Sequence, residues 1–269
     1  MPVQDRSFLA TALCLFFCFV RIPASIQALP NPADGIHSNH ANKLLHRSPE
    51  SLKNTYSVLR HGQSQANVAK LIASSPEIAT KKYGLSEKGK EQAAKAVDDV
   101  IQNFHRINNE QRSRPLKAVL FLASDLLRAE ETAQIVQRKL EEAGIPLYQN
   151  EDLGVKDGFV IETRMRERWF GDWDETSDTN YANVWKDDAV DPNHKIKGVE
   201  SVNEVMERIT SCVQEWDQRV EDCFIICVAH GDVLQILQTA FAKMDGSKHR
   251  TLEHLETAKL RCLKLAAKQ

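Results

Sequence analysis

Three places in this 269-residue chain set an arginine or a histidine just beyond a short apolar run. "YSVL" is followed by Arg60, His61 and Gly62. "KAVLFLA" is followed by Ser124, Asp125 and, one helical turn on, Arg128. "CFIICVA" is followed by His230 and Gly231. A fixed cation beside an imidazole disfavours its protonation, so the pairing at 60–61 pulls the His61 pKa down and keeps the ring neutral. A neutral imidazole has a free lone pair and can act as a nucleophile. Arg60 and Arg128 offer planar donor forks suited to the oxygens of a phosphoryl group. Helix N-termini after the strands add backbone donors. Gly62 lets the chain bend sharply, and its carbonyl is available to hold the other ring nitrogen. The chemistry these residue types suit is the binding and transfer of a phosphoryl group beside a neutral His61, with the developing charge stabilised by guanidinium groups.

The elements that must position these residues alternate in type. "YSVL", "KAVLFLA" and "CFIICVA" read as strands, the latter two with few polar residues, as expected when both faces are covered. Helical patterns follow: residues 86–104, then 125–144, where Ala129, Ala133, Val136, Leu140 and Ala143 recur at 3–4 spacing and Gly144 sits where a C-terminal cap belongs. Residues 201–216 open with Ser201 and Glu204, a capping box, and 231–243 form another helix. Residues 257–265 read as an edge strand. The alternation predicts an α/β domain, a three-layer sandwich with a mainly parallel central sheet and helices on both faces. In such sheets ligands bind beyond the carboxyl ends of the strands, which is where both arginines and both histidines fall. Residues 172–198 are polar and irregular, and read as a loop or small subdomain near that rim.

Composition sets the outer limits. Charged residues are 27% of the chain, the apolar set 42%, and the formal charge is −2. That is ordinary globular usage without the basic excess of a nucleic-acid binder. Residues 1–28 read as a signal-peptide-like leader, with an apolar run too short for a comfortable membrane span and a cut expected after Ala28. Residues 29–54 read as a linker or transit-like segment, and 55–269 as the main domain. Entry into the secretory pathway is expected, with a complex plastid as the alternative address. No stable membrane span is expected once the leader is removed. Oligomeric state is open. Of six cysteines, Cys223 and Cys227 share one face of a strand and read as small core residues.

At this point the residues match a family. "LRHGQSQAN", "YGLSEKGKEQA", "ASDLLRAEETAQIV", "MRERWFGDWD", "GVESVNEVMERI" and "VAHGDVLQIL" occur in order and resemble the signature segments of the histidine phosphatase superfamily, the phosphoglycerate-mutase-like proteins. The resemblance implies a phosphomonoester hydrolase acting on a small phosphorylated metabolite, with a mutase or an inactive phosphate binder as alternatives. It implies His61 as nucleophile and Glu167 as the acid that protonates the leaving oxygen and then activates water. Arg60, Arg128 and His230 would hold the phosphoryl oxygens, joined by Asn67, which equally fits a helix cap. No metal or other cofactor is required. Arg164, Arg166 and Arg168 flank Glu167, and one of them is a candidate second anion site.

Overall fold

Three strands carry the three motifs, and they lie side by side. The computed structural model describes residues 43–47 and 52–267. β1 (Thr55–Arg60), β2 (Ala118–Ala123), β3 (Phe159–Ile161), β4 (Cys223–Ala229) and β5 (Leu260–Cys262) form one sheet in the order β3-β2-β4-β1-β5. β3, β2, β4 and β1 run parallel, while β5 pairs antiparallel with β1 at the edge. The buried strands β2 and β4 alternate faces with period two. Val119, Phe121, Ala123, Phe224, Ile226 and Val228 face a cluster that includes Val97, Phe104, Val136 and Leu140. These come from α3 (Glu87–Glu110) and α4 (Leu127–Glu142), which follow two short helices, α1 (Gln65–Ala69) and α2 (Pro76–Ala79). Leu120, Leu122, Ile225 and Cys227 face the other way, against α6 (Val202–Arg219) and α7 (Gly231–Phe241). This is the expected mainly parallel sheet with helices on both faces.

Local signals account for the helix ends. Ser201 and Glu204 close a reciprocal capping box on α6, and Ser86 caps α3 by accepting from the Gly89 N–H. Gly144, just past α4, has φ +71°, the left-handed conformation that glycine adopts without a Cβ penalty. Cys212, Cys223 and Cys227 are buried free thiols, and the two strand cysteines are core residues as expected.

Three features lay outside the sequence reading. β3 is only three residues long and half-buried, too short to show a period. The stretch 172–198 contains a helix, α5 (Tyr181–Asp188), and a satellite core in which Phe170, Val184 and Val199 pack on Ile72, with Trp173 and Tyr181 against them. Of the two readings the sequence allowed for this stretch, the small subdomain is the one formed. Within the stretch read as a linker, residues 43–46 form a 3-10 turn whose Leu44 is fully buried in the α6–α7 core. Arg47 pairs with Asp217 of α6 at 3.0 Å, so this part of the linker is packed onto the domain. The leader lies outside the described residues. Among the described residues no helix is long and apolar enough to cross a membrane.

Candidate active site

Strand register brings the motifs together. Arg60 pairs with Ala229, and Ala123 with Val228. The His61 N–H donates to the Ala229 carbonyl at 3.0 Å and the Ser124 N–H to the Val228 carbonyl at 3.0 Å. Arg60–His61, Ser124 and His230 therefore leave the sheet at one rim. The N-terminal ends of α4 and α7, which begin just after Ser124 and His230, point their free N–H groups toward the same region.

His61 is buried, and its orientation is fixed from both sides. Nδ1 lies 2.7 Å from its neighbour Gly62's carbonyl oxygen. A carbonyl only accepts, so Nδ1 carries the hydrogen and Nε2 the lone pair. Arg128 Nε donates to that Nε2 at 3.2 Å. Burial first, then the charges of Arg128 and Arg60, hold the His61 pKa well below the ordinary imidazole value, as the sequence suggested. The Gly62 hydrogen bond opposes them only in part. The turn at Gly62 is pressed against α3, since a Cβ there would run into the Gly89 carbonyl oxygen. Glycine at 62 is required by that close approach of two backbones.

The phosphate-binding candidates show unused donors. Arg128 is 4% exposed and donates from Nη2 to the Ala73 carbonyl at 2.8 Å, while Nη1 is buried without a partner. Arg60 Nη1 reaches the Leu255 carbonyl at 3.0 Å and His254 Nε2 at 2.8 Å, but its Nε is buried without a partner. His230 Nε2 lies 2.9 Å from Ser124 Oγ, and its Nδ1 has no partner. Ser124 Oγ accepts from the Leu126 N–H at 3.2 Å, and its own hydrogen can be given to His230 Nε2, the tautomer that leaves the His230 proton on Nδ1 as a donor. No carboxylate of the described residues lies within 4.0 Å of Arg60 or Arg128. Buried donors without partners are rare and costly, and three of them from three strand ends call for an oxyanion.

Asn67 has its carbonyl oxygen engaged. Oδ1 accepts from the Ser64 N–H at 3.0 Å and its hydroxyl at 3.0 Å, which completes a capping box on α1 (Gln65–Ala69). The residue also lines the cavity, so the cap reading holds and the amide NH₂ remains available.

The cavity has a volume of about 230 Å³, and its walls include Arg60, His61, Arg128, Glu167, Tyr181 and Arg250. Glu167 is buried. Burial, reinforced by the negative charge of Asp232, pushes its pKa up to about 7, against the pull of Arg128, the Arg168 N–H and Arg60. The segment carrying it is fixed from α6, where Arg208 Nη1 donates to the carbonyls of Arg164 at 2.5 Å and Arg166 at 3.1 Å. Three other acids near Glu167 in the sequence, Glu162, Asp172 and Glu175, do not line this cavity. Glu162 is bound by Arg164 at 2.6 Å, Asp172 is exposed, and Glu175 accepts from the Tyr83 hydroxyl.

The arginines around Glu167 are already taken. Arg164 pairs with Glu162 and with Glu215 at 2.7 Å, and Arg166 with Asp125 at 2.5 Å. Arg168, fully buried, is held by both oxygens of Asp188 at 2.7 Å and by Asp232 at 3.2 Å. The second anion site considered for these residues is not formed by them. Sequence reading missed Tyr181, Trp185, Arg250 and His254 on the cavity wall. Tyr181 and Trp185 stack with an interplanar angle of 10°, and their i, i+4 spacing was the one available signal for α5.

A sequence model of the histidine phosphatase superfamily (branch 1) matches residues 57–269. The chain belongs to that superfamily. No curated protein sequence matches it. Among solved structures the histidine phosphatase fold is shared with a mycobacterial hydrolase at 23% identity and TM-score 0.56, over 77% of this chain and 86% of that one. It is shared with mycobacterial glucosyl-3-phosphoglycerate phosphatase at 22% identity and TM-score 0.55, over 77% and 88%. A third is Bacillus stearothermophilus YhfR, at 21% identity and TM-score 0.54, over 77% and 89%. At these identities the likeness is one of fold, and the superfamily's solved structures include phosphatases.

Proposed function

We propose that this superfamily member is a phosphomonoester hydrolase that works through a phosphohistidine at His61 on a small phosphorylated metabolite. The observation that carries the reading is the pairing of a neutral His61, its Nε2 lone pair facing Arg128, with three buried cationic or polar donors left without partners, Arg60 Nε, Arg128 Nη1 and His230 Nδ1. Nε2 attacks phosphorus in line as the bond from phosphorus to the leaving oxygen breaks. The donors take the charge on the phosphoryl oxygens, which is most of what such a transfer requires. Glu167, protonated at its raised pKa, gives its proton to the leaving oxygen. As a carboxylate it then accepts a proton from water, whose oxygen attacks phosphorus and releases inorganic phosphate and the free imidazole.

The test is a quench after mixing the chain with ³²P-labelled phosphomonoester. An acid-labile, base-stable phosphoenzyme is expected, absent in His61→Ala, and it should decay to inorganic phosphate. Label remaining on His61→Ala removes the nucleophile assignment. Label moving to an isomerised product instead of phosphate replaces the hydrolase with the mutase.

A further inference from the structure

One cation on the cavity wall exceeds what a phosphoryl group needs. Arg250 follows α7, in the 3-10 segment Gly246–Thr251. Its guanidinium carbon sits over the Trp185 ring, 3.7 Å from the centroid. Stacking of this kind fixes the plane of the fork while leaving its N–H edge free. Nη1 makes no hydrogen bond. Its nearest acid, Asp232 Oδ1, is 3.7 Å away, beyond hydrogen-bond length. That oxygen already accepts from Trp185 Nε1 at 2.9 Å, and Oδ2 takes the Arg168 contact at 3.2 Å. Arg250 is therefore an oriented donor with its hydrogen-bonding capacity unspent, in the same cavity as His61 and Glu167.

We propose that Arg250, seated on Trp185, forms a second anion subsite that selects substrates whose leaving group carries another acidic group, a carboxylate or a second phosphate. The proposal rests on the reading of His61 and its donors as the phosphoryl site. Arg60, Arg128 and His230 supply that site with donors, so the third guanidinium meets the other end of the molecule. The cavity, about 230 Å³, is smaller than the roughly 300–1,000 Å³ of drug-sized sites, so the compounds that test it are short. Arg164, Arg166 and Arg168 cannot do this work, because each already holds a carboxylate. Asp178 also lines the cavity.

The experiment measures binding and turnover separately. Calorimetry on the His61→Ala protein compares phosphoglycolate with 2-hydroxyethyl phosphate, which has the same two carbons and an alcohol in place of the carboxylate. Ethylene glycol bisphosphate provides the phosphate arm. At least one acid-bearing ligand should bind about tenfold or more tightly than the alcohol, the scale of one charge-assisted hydrogen bond. The arm with the larger ratio names the second acid. Adding Arg250→Gln should bring that ratio to within about twofold of unity, and Arg250→Lys should restore part of it. Equal binding of all three ligands before the change at 250, or an equal weakening of all three by it, overturns the subsite and leaves Arg250 a support for Asp232. Turnover of the same compounds by the unsubstituted chain is read independently. If the binding ratio is present and no phosphate is released, the subsite stands and the hydrolase reading falls.

Discussion

Glu167 and Asp232 line one cavity yet titrate on opposite sides of the ordinary carboxylate range. Burial would raise both. At Asp232 it is outweighed by His249, Arg168 and Arg250, which hold that carboxyl well below its usual value. Glu167 has a single donor, the Arg168 N–H at 3.0 Å, and the charge of Asp232 to contend with, so it rises to about 7. Two buried acids pushed apart in this way keep Asp232 charged and leave Glu167 able to exchange a proton near neutral pH, as the proposed role requires.

The rate of phosphoenzyme formation should therefore fall above about pH 7 as Glu167 loses its proton. Removing the Asp232 charge lowers the Glu167 pKa, so Asp232→Asn should shift that fall to lower pH. A limb unmoved by Asp232→Asn, measured by rapid quench from pH 5 to 9, would detach Asp232 from Glu167. The acid limb should follow the second ionisation of the substrate phosphate, about 6, because His61 is held well below that range. Stability carries the same signature. The folded chain binds the Glu167 proton more tightly than the unfolded chain does, so this contribution is complete below the ordinary value of 4.5 and is lost as the pH rises through 7. His61 and His230 act at the other end. Folding depresses both, so their contribution is present above 6.5 and fades as the pH falls below it.

Replacing Glu167 by Gln should separate substrates by leaving group. An alkyl alkoxide needs a proton to depart, and loss of a positioned acid costs about 10²- to 10⁴-fold. A nitrophenolate departs unaided, so phosphoenzyme should still form from p-nitrophenyl phosphate. It should accumulate as a burst, because the base for water is missing. Equal losses on alkyl and aryl substrates would remove Glu167 as the acid.

The surroundings of Arg128 predict a contribution to function rather than to stability. It is buried beside Arg60, with burial depressing its pKa and no carboxylate of the described residues within 4.0 Å. An unpaired buried cation is costly, so Arg128→Met should leave the melting temperature equal or higher, by about 2–4 °C per kcal/mol for a domain of this size. The rate should fall by about 10²- to 10³-fold, as for loss of one oxyanion donor. Orthophosphate or vanadate should raise the melting temperature of the unsubstituted protein and raise that of Arg128→Met less. A large drop in stability for Arg128→Met would show that Arg128 is mainly structural.

Gly62 is the position where backbone shape and chemistry meet. The Cβ in Gly62→Ala would strike the Gly89 carbonyl, and relief of such overpacking costs about 1–3 kcal/mol. Because the Gly62 carbonyl holds His61 Nδ1, activity should fall further than the melting temperature accounts for. A stable and fully active Gly62→Ala protein would break the link between this turn and the orientation of His61.

The sequence by itself determined what is local. Apolar runs too uniform for a one-sided strand marked β2 and β4, the 3–4 spacing of Ala129, Ala133, Val136 and Leu140 marked α4, and the Ser201–Glu204 pair marked the start of α6. The adjacent Arg60 announced one part of the neutrality of His61, while burial and Arg128, the larger causes, came only with the fold. Tertiary structure decided which charges meet. Arg164, Arg166 and Arg168 look equivalent in the chain, and only the fold gives them Glu215, Asp125 and Asp188, drawn from 51, 41 and 20 residues away. Only the fold leaves Arg250, from beyond the last helix, stacked on Trp185 with its donor edge unspent. A side chain's charge is written in its residue type. Whether that charge is spent depends on partners brought near by sheet register and helix packing, and those distances have no counterpart along the chain.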